Sequence, residues 1–453
     1  MKYVFSIFVI LVLAAFGFVW FSGKTVELSV PKPVAAIGTE TSITVNATGP
    51  NGVKSFTAAV EQDGQNQTVY SVRSKAKTRN QTFTFPVGKK EASFLKEGPA
   101  KMVFSAASND PRGRRTTISQ SVQVVLHPPT ISADGYQHYI NQGGAELVTL
   151  DLGGSWTEAG VRVGPYVSGT FPMPGQPDNS NHRFSLFAYP WDVNPDTNPV
   201  AFVRNAAGTD VTTTFWTKVF PKTFRQSNIP LNDRNLAKVD NELDPGGTGS
   251  LVDRFVKINR EQRKQNAQTI YNLRTHTVNK MLWSGPFIPI KGARESYFAD
   301  RRSYYYKGKK VDEQVHLGFD LAQTAHMSVT AANSGRVIYA DRLGIYGNCV
   351  IIDHGYSLQT LYGHMSKIDV KVGDMVQKEQ HIGVSGATGM AFGDHVHFSM
   401  LVQGMQVNPK EWWDEHWIHD RILSKLDPQA AAKMQETAAP AEATPRHHRK
   451  HRR

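Results

Sequence analysis

The chain has 453 residues, 40% of them hydrophobic and 20% charged, with a formal net charge of +12 and a single cysteine, Cys349. That length is too great for one ordinary domain and the apolar content is enough to bury a core, so a wholly disordered chain is excluded and several globular domains are expected. One cysteine excludes an intramolecular disulfide, and its place in an apolar run predicts a buried thiol.

Tyr3 to Phe21 is a 19-residue uncharged apolar run after Lys2, long enough to cross a bilayer as a helix. A signal peptide has a shorter apolar core that ends at a small-residue cleavage site, whereas this run continues through Trp20 and Phe21. Residues 1–24 are therefore read as an uncleaved signal anchor. The rest of the chain is expected outside the cytoplasmic membrane.

Residues 25–127 alternate apolar and polar positions in short segments, as in Thr41-Ser42-Ile43-Thr44-Val45, Gln81-Thr82-Phe83-Thr84-Phe85 and Ser119 to Val125. Period-two alternation broken by Gly, Pro and Asn predicts half-buried antiparallel strands. Their recurrence suggests an immunoglobulin-like sandwich, without the Cys-Trp-Cys signature. His127-Pro128-Pro129 is a natural junction. A second β-rich domain is expected over 130–220, with strands at Glu146 to Leu150 and Phe184 to Ala188. Residues 221–284 read as a helical linker, because Leu236, Val239 and Leu243 share one helix face and Leu251, Phe255 and Ile258 follow after Gly246-Gly247.

The chemistry is concentrated in 285–425. His316-Leu317-Gly318-Phe319-Asp320 and His395-Val396-His397 lie about 75 residues apart, with Gly363-His364 between them. Two histidines and a carboxylate are what a catalytic zinc uses to leave a fourth position open, and two further histidines remain to handle protons. Residues two apart on a strand share a face, so His395 and His397 are able to look into one site.

These residues resemble the LytM/lysostaphin-type zinc metallopeptidases, which are peptidoglycan endopeptidases. The resemblance runs from about Ser296 to Pro409 and includes Gly347 to Gly355, Val372-Gly373-Asp374-Met375-Val376, Ser385-Gly386-Ala387-Thr388-Gly389 and His397-Phe398. It implies one Zn2+ per chain held by His316, Asp320 and His397, with His364 and His395 as the catalytic histidines. The fold it implies is mainly β, with a C-terminal antiparallel-β peptidase domain after the Ig-like and β-rich domains and the helical linker. Its substrate would be peptidoglycan, which places the peptidase in the periplasm of an inner-membrane, single-pass protein. The resemblance also leaves a non-hydrolytic regulator or wall-binding scaffold, activating a partner amidase, as the alternative.

Four places depart from the family pattern: Glu379 and Asp394 replace a usual glycine and proline, Ser399 a glutamate, and His326-Met327-Ser328 a Gly-Thr-Pro. None is expected to touch a ligand. The other histidines, His138, His182, His276, His354 and His381, are read as surface or structural residues. Tyr362, Asn348 and Ser385 are candidates for orienting substrate, with a structural role the simpler account. Residues 426–453 form an Ala/Pro-rich segment ending in Arg446-His447-His448-Arg449-Lys450-His451-Arg452-Arg453. This reads as a disordered basic tail able to contact anionic wall polymer or lipid. No stretch interleaves aromatic with basic residues, so no nucleic-acid partner is expected.

Overall fold

The structure is a computed structural model that describes residues 25–73, 78–110, 112–322 and 324–426. The apolar run Tyr3–Phe21 and the segment 427–453 lie outside these. Among the described residues no helix is long and apolar enough to cross a membrane. The protein is mainly β. It divides into two compact units, one of residues up to 130 with 153–158 and 203–211, the other of 131–152, 159–202 and 212 onward.

In the first unit a three-stranded sheet (Glu27–Ser29, Thr41–Thr48, Asn80–Val87) accompanies a five-stranded one whose long members are Val53–Gln62, Gln65–Arg73, Gly98–Ser108 and Arg115–Val124. The inward residues of the alternating strands meet in one core, where the rings of Phe56 and Phe83 stack at 4.4 Å beside Phe85 and Phe104. Asp63 and Gly64 join two of these strands, both with positive φ. That is the conformation a two-residue hairpin turn demands and Asp-Gly supplies.

The second unit is organised around an antiparallel sheet. Its strands run, in order, Ala293–Ser296, Phe319–Ala322, Val396–Val402, Leu358–Met365, Asn348–Asp353, Gly335–Arg342 and Met375–Val376, with Met405–Val407 paired to Val396–Val402. Its two central strands are buried on both faces. One face packs on Leu236, Val239, Phe255 and Ile270 of three helical segments, Asp233–Leu243, Leu251–Lys257 and Arg263–Leu273, and on Ile258 of the turn that joins the last two. The other shares a core with Leu147, Phe184 and Leu186 of the second β region.

This differs from a chain of separate modules. Much of the second β region and all of the helical segment belong to the same compact unit as this antiparallel sheet, and residues 226–231 form a strand, parallel to Asp300–Tyr306. Buried polar contacts hold the pieces together. Glu411 accepts from Asn141 Nδ2 at 2.7 Å and from the Ala145 N–H at 3.0 Å. Gln403 donates to the carbonyls of Gly169 and Leu186 at 3.0 and 2.8 Å. Lys425 donates to Glu146 at 2.8 Å, and the chain stays helical through Leu426, one residue into the expected tail.

Candidate metal and catalytic site

Strand register gathers the five residues. Asp320 is paired with His397, and His397 with Gly363 on its other side, which brings His364 alongside. His316 ends the strand Lys309–His316 and reaches the same point. The candidate ligand atoms His316 Nε2, Asp320 Oδ1 and His397 Nδ1 lie 2.9, 2.9 and 3.1 Å from one another. The glycine of the HxGxD motif has a local reason: a Cβ on Gly318 would sit 2.6 Å from His397 ring atoms.

The neighbouring hydrogen bonds leave these three atoms free for a cation. His316 Nδ1–H donates to the Tyr297 carbonyl at 3.1 Å. His397 Nε2–H donates to Ser399 Oγ at 2.9 Å, and that hydroxyl donates to the Leu317 carbonyl at 2.7 Å. Arg302 Nη2 donates at 2.6 Å both to Asp320 Oδ2 and to Ser296 Oγ. Each ligand thus has one atom tied down by a supporting partner and one lone pair aimed at a common point, the arrangement of a protein zinc site. Tetrahedral ligands at zinc bond lengths lie about 3.3 Å apart, so a small outward movement accommodates the ion. His316, Asp320 and His397 also meet the distance requirement for a shared metal.

Ser399 corrects the expectation that no departure from the family pattern touches a candidate ligand: its hydroxyl fixes the ring of His397. The other departures act on the backbone. Glu379 and His326 have φ of +67° and +60°, the left-handed region that glycine occupies without strain. Asp394 accepts from Ser385 Oγ at 2.5 Å and from the His326 N–H at 3.1 Å.

His364 and His395 face the same point. His364 Nδ1–H donates to the Thr388 carbonyl at 2.8 Å and His395 Nδ1–H to the Gly393 carbonyl at 2.9 Å, which turns both Nε2 atoms inward. Their ring centroids are 4.7 Å apart, and His395 Nε2 is 3.6 Å from Asp320 Oδ1. His364 takes a φ of +63°, a costly conformation for a non-glycine residue that concentrates at functional sites.

Burial and the neighbouring imidazoles hold His364 well below its ordinary pKa, and burial takes His397 down to about 4. Burial opposes ionisation of Asp320, but the imidazoles around it hold its carboxyl well below the usual range. With a dication bound, neutral rings would be expected at both His364 and His395. At His395 the Asp320 hydrogen bond and charge outweigh burial and raise the pKa instead. A bound cation would offset that attraction.

The site opens into a cleft of about 410 Å³ whose wall includes Arg263, Tyr346, Met390, Phe392 and Gln406. The helix Asp233–Leu243 braces that wall. Lys238 Nζ donates to the carbonyls of Ala387, Gly389 and Ala391, while Glu242 accepts from the Gly389 N–H. Arg302, Tyr346, Lys238 and Glu242 carry no motif signal, and only their positions in the fold disclose them. Tyr362, Asn348 and Ser385 serve the framework: the Tyr362 hydroxyl accepts from the Ala332 N–H at 2.7 Å, and the Asn348 N–H donates to Thr388 Oγ1 at 2.9 Å. Ser385 Oγ accepts from the Met327 N–H at 2.9 Å. His354 is buried between the Ser334 carbonyl and Thr360, and His138 between Asp134 and Lys425.

The profile of Peptidase family M23 matches residues 314–409, the segment that carries all five residues. Residues 314–409 are an M23 peptidase domain. The domain is similar to the peptidoglycan DD-endopeptidase ShyA of Vibrio cholerae, 40% identical over 93 residues, or 20% of this chain and 22% of that protein. It is also similar to the DD-carboxypeptidase/endopeptidase Mpg of Neisseria meningitidis, 35% identical over 96 residues, 21% of this chain and 22% of the relative. The chain thus matches about a fifth of the length of these relatives. Among solved structures it resembles the catalytic domain of the prophage-encoded M23 protein EnpA from Enterococcus faecalis, at 31% identity over 27% of this chain and 95% of that one, TM-score 0.23.

Proposed function

We propose that the protein is a zinc metalloendopeptidase that hydrolyses peptide cross-links of peptidoglycan. One observation carries the reading: three lone pairs and two further imidazole Nε2 atoms converge at the end of a cleft, each held there by a bond on its far side. Zinc bound by His316, Asp320 and His397 would act as a Lewis acid toward the scissile carbonyl and would acidify water. His364 and His395 divide the proton work. One takes a proton from the attacking water, and the other supports the developing oxyanion or returns a proton to the leaving amine. Arg302 and Ser399 hold two of the ligands in orientation, and the wall from Met390 to Phe392 flanks the bound peptide.

The names of the relatives, peptidoglycan DD-endopeptidases among them, favour D-alanyl cross-links to a diamino acid as the bonds cut. The apolar run Tyr3–Phe21 supports an inner-membrane anchor with the M23 domain in the periplasm. The basic segment Arg446–Arg453 would add salt-sensitive contact with anionic wall or lipid; deleting it should lower sedimentation with sacculi at low salt. The decisive test digests purified sacculi with the chain from residue 25 onward and identifies the released muropeptides. About one zinc per chain and cross-link cleavage that disappears in His364→Ala are expected. Stoichiometric zinc with no cleavage of sacculi or muropeptides would favour a regulator over an enzyme.

A further inference from the structure

A second cleft, of about 320 Å³, lies beside the first and is lined by Lys222, Phe224, Arg225, Tyr297, Phe298 and Lys410, among others. Tyr297, 37% exposed, is its central ring. The Arg225 guanidinium is 5.9 Å from the ring centroid, that of Arg294 6.0 Å and the Lys410 ammonium 5.9 Å. Three cations are therefore drawn around one half-exposed aromatic face, with Lys222 in the same cleft. Among the described residues none of the four has a carboxylate within ion-pair distance, although salt bridges form elsewhere on this surface. Glu295, the acid on the same strand, lines the catalytic cleft instead. The buried Glu411 acts on Lys222 only beyond contact distance, and like charges gathered with no carboxylate against them repel one another, so the field they focus into a cleft attracts an anion.

The position of this cleft matters as much as its charge. Tyr297 gives its carbonyl to His316, a ligand of the proposed zinc, at 3.1 Å. Its ring meets that of Phe319 at 5.8 Å, and Phe319 precedes the ligand Asp320. Ser296, adjacent in sequence, lines the catalytic cleft and binds Arg302. Ala293–Ser296 is also the edge strand of the peptidase sheet, so an extended peptide leaving the catalytic centre along that edge would pass over Tyr297. Aromatic rings beside cations suit a carboxylate carried on an aliphatic stem, whose methylenes lie on the rings while its oxygens meet guanidinium and ammonium groups.

We propose that this cleft is a substrate subsite that binds a carboxylate of the peptide whose scissile bond lies at the zinc centre. The proposal rests on the peptidase reading and adds a charge requirement to its substrate. The shared chemistry, an anionic oxygen cluster, would also describe the phosphates of a lipid surface, and the experiment separates the two.

The test uses the chain from residue 25 onward, an acidic cross-linked muropeptide, the same muropeptide with its carboxylates amidated, and vesicles containing phosphatidylglycerol. For Arg225→Gln/Lys410→Gln the KM for the acidic substrate should rise about tenfold with kcat changed less than about twofold. Amidation should raise the KM of the unaltered protein by a similar factor and add little in the double variant. Arg225→Lys/Lys410→Arg, which keeps both charges, should recover most of the affinity, whereas a folding defect would not follow charge. A binding arm uses His364→Ala with a fluorescent acidic muropeptide: tighter binding with the two cations present than without them supports the subsite even if no turnover is found, so the subsite and the peptidase reading can fail separately. An unchanged KM and unchanged peptide binding in the double variant would overturn the proposal. So would vesicle sedimentation that falls in the double variant while peptide affinity stays constant, since the anion would then be a lipid phosphate.

Discussion

Arg302 is the residue whose removal should be most informative. Its guanidinium occupies one oxygen of Asp320 and so leaves the other to face a bound cation. Arg302→Met, similar in length and uncharged, should weaken zinc binding about 10- to 100-fold, the usual cost of losing a partner that orients a metal ligand. Competition with a chromogenic chelator would measure it, and an unchanged affinity would show that Asp320 needs no such support. His364→Ala and His395→Ala should instead keep zinc and lose about 100- to 10,000-fold in kcat. Loss of zinc in either would make it a ligand rather than a proton carrier. Glu379 gives a stability counterpart. A φ of +67° strains the backbone of a residue that carries a Cβ, so Glu379→Gly should raise stability by about 0.5–1 kcal/mol, read from urea midpoints.

At the scale of elements, the helix Asp233–Leu243 acts as a brace. Lys238 and Glu242 hold the backbone of 387–391, and that loop also supplies the Thr388 carbonyl that orients His364. Lys238→Ala should therefore lower kcat/KM by about tenfold with zinc content unchanged, and undiminished kcat/KM would make the brace dispensable. Lys238 and Glu242 read in sequence as an ordinary solvated i,i+4 pair, so nothing in the helix pattern announces a catalytic neighbour. The motif residues were legible for the opposite reason. His316 closes one strand four residues before Asp320 on the next, Asp320 pairs with His397, and His395 lies just ahead of the strand that carries His397, so the short motif spacings bring the four together, and Gly318 is required by the ring that passes over it. Arg302 lies upstream of the first motif on a strand of another sheet, and only the pairing of Asp300 with His316 brings it to Asp320. Ser399 was legible as a departure, but its contact with His397 depends on two residues of one strand sharing a face.

For the whole molecule, burial is the theme that single segments concealed. The strand His182–Ala188 is buried at six consecutive positions, which a solvent-facing sandwich would not require, because its other face meets the peptidase core. The fragment 285–425 alone should expose both the aromatic face around Phe287 and Trp412 and the face covered by the helices. It should aggregate where the chain from residue 25 onward remains soluble, and a monodisperse, zinc-binding fragment would show that the shared core is not needed.

Glu411, at the junction with Asn141 and Ala145, has its carboxyl pushed up to about 7 by burial. The folded state therefore holds this proton more tightly than the unfolded state does. The stabilisation is present in acid and is lost as the pH rises toward 7. Glu411→Gln keeps an acceptor and carries no charge, so it should raise Tm by about 2–4 °C at pH 8 and change it little at pH 5. A Tm difference independent of pH would remove Glu411 as the titrating group.

Cys349 lies on the strand Asn348–Asp353 of the peptidase sheet, fully buried, and burial pushes its thiol pKa far upward. Natively folded protein should therefore not react with maleimides or iodoacetamides. Any cysteine introduced at an exposed position becomes the single addressable handle without first deleting the native one. Placed at Phe392, on the rim of the catalytic cleft and 41% exposed, an environment-sensitive dye would turn occupancy of the cleft into an optical signal.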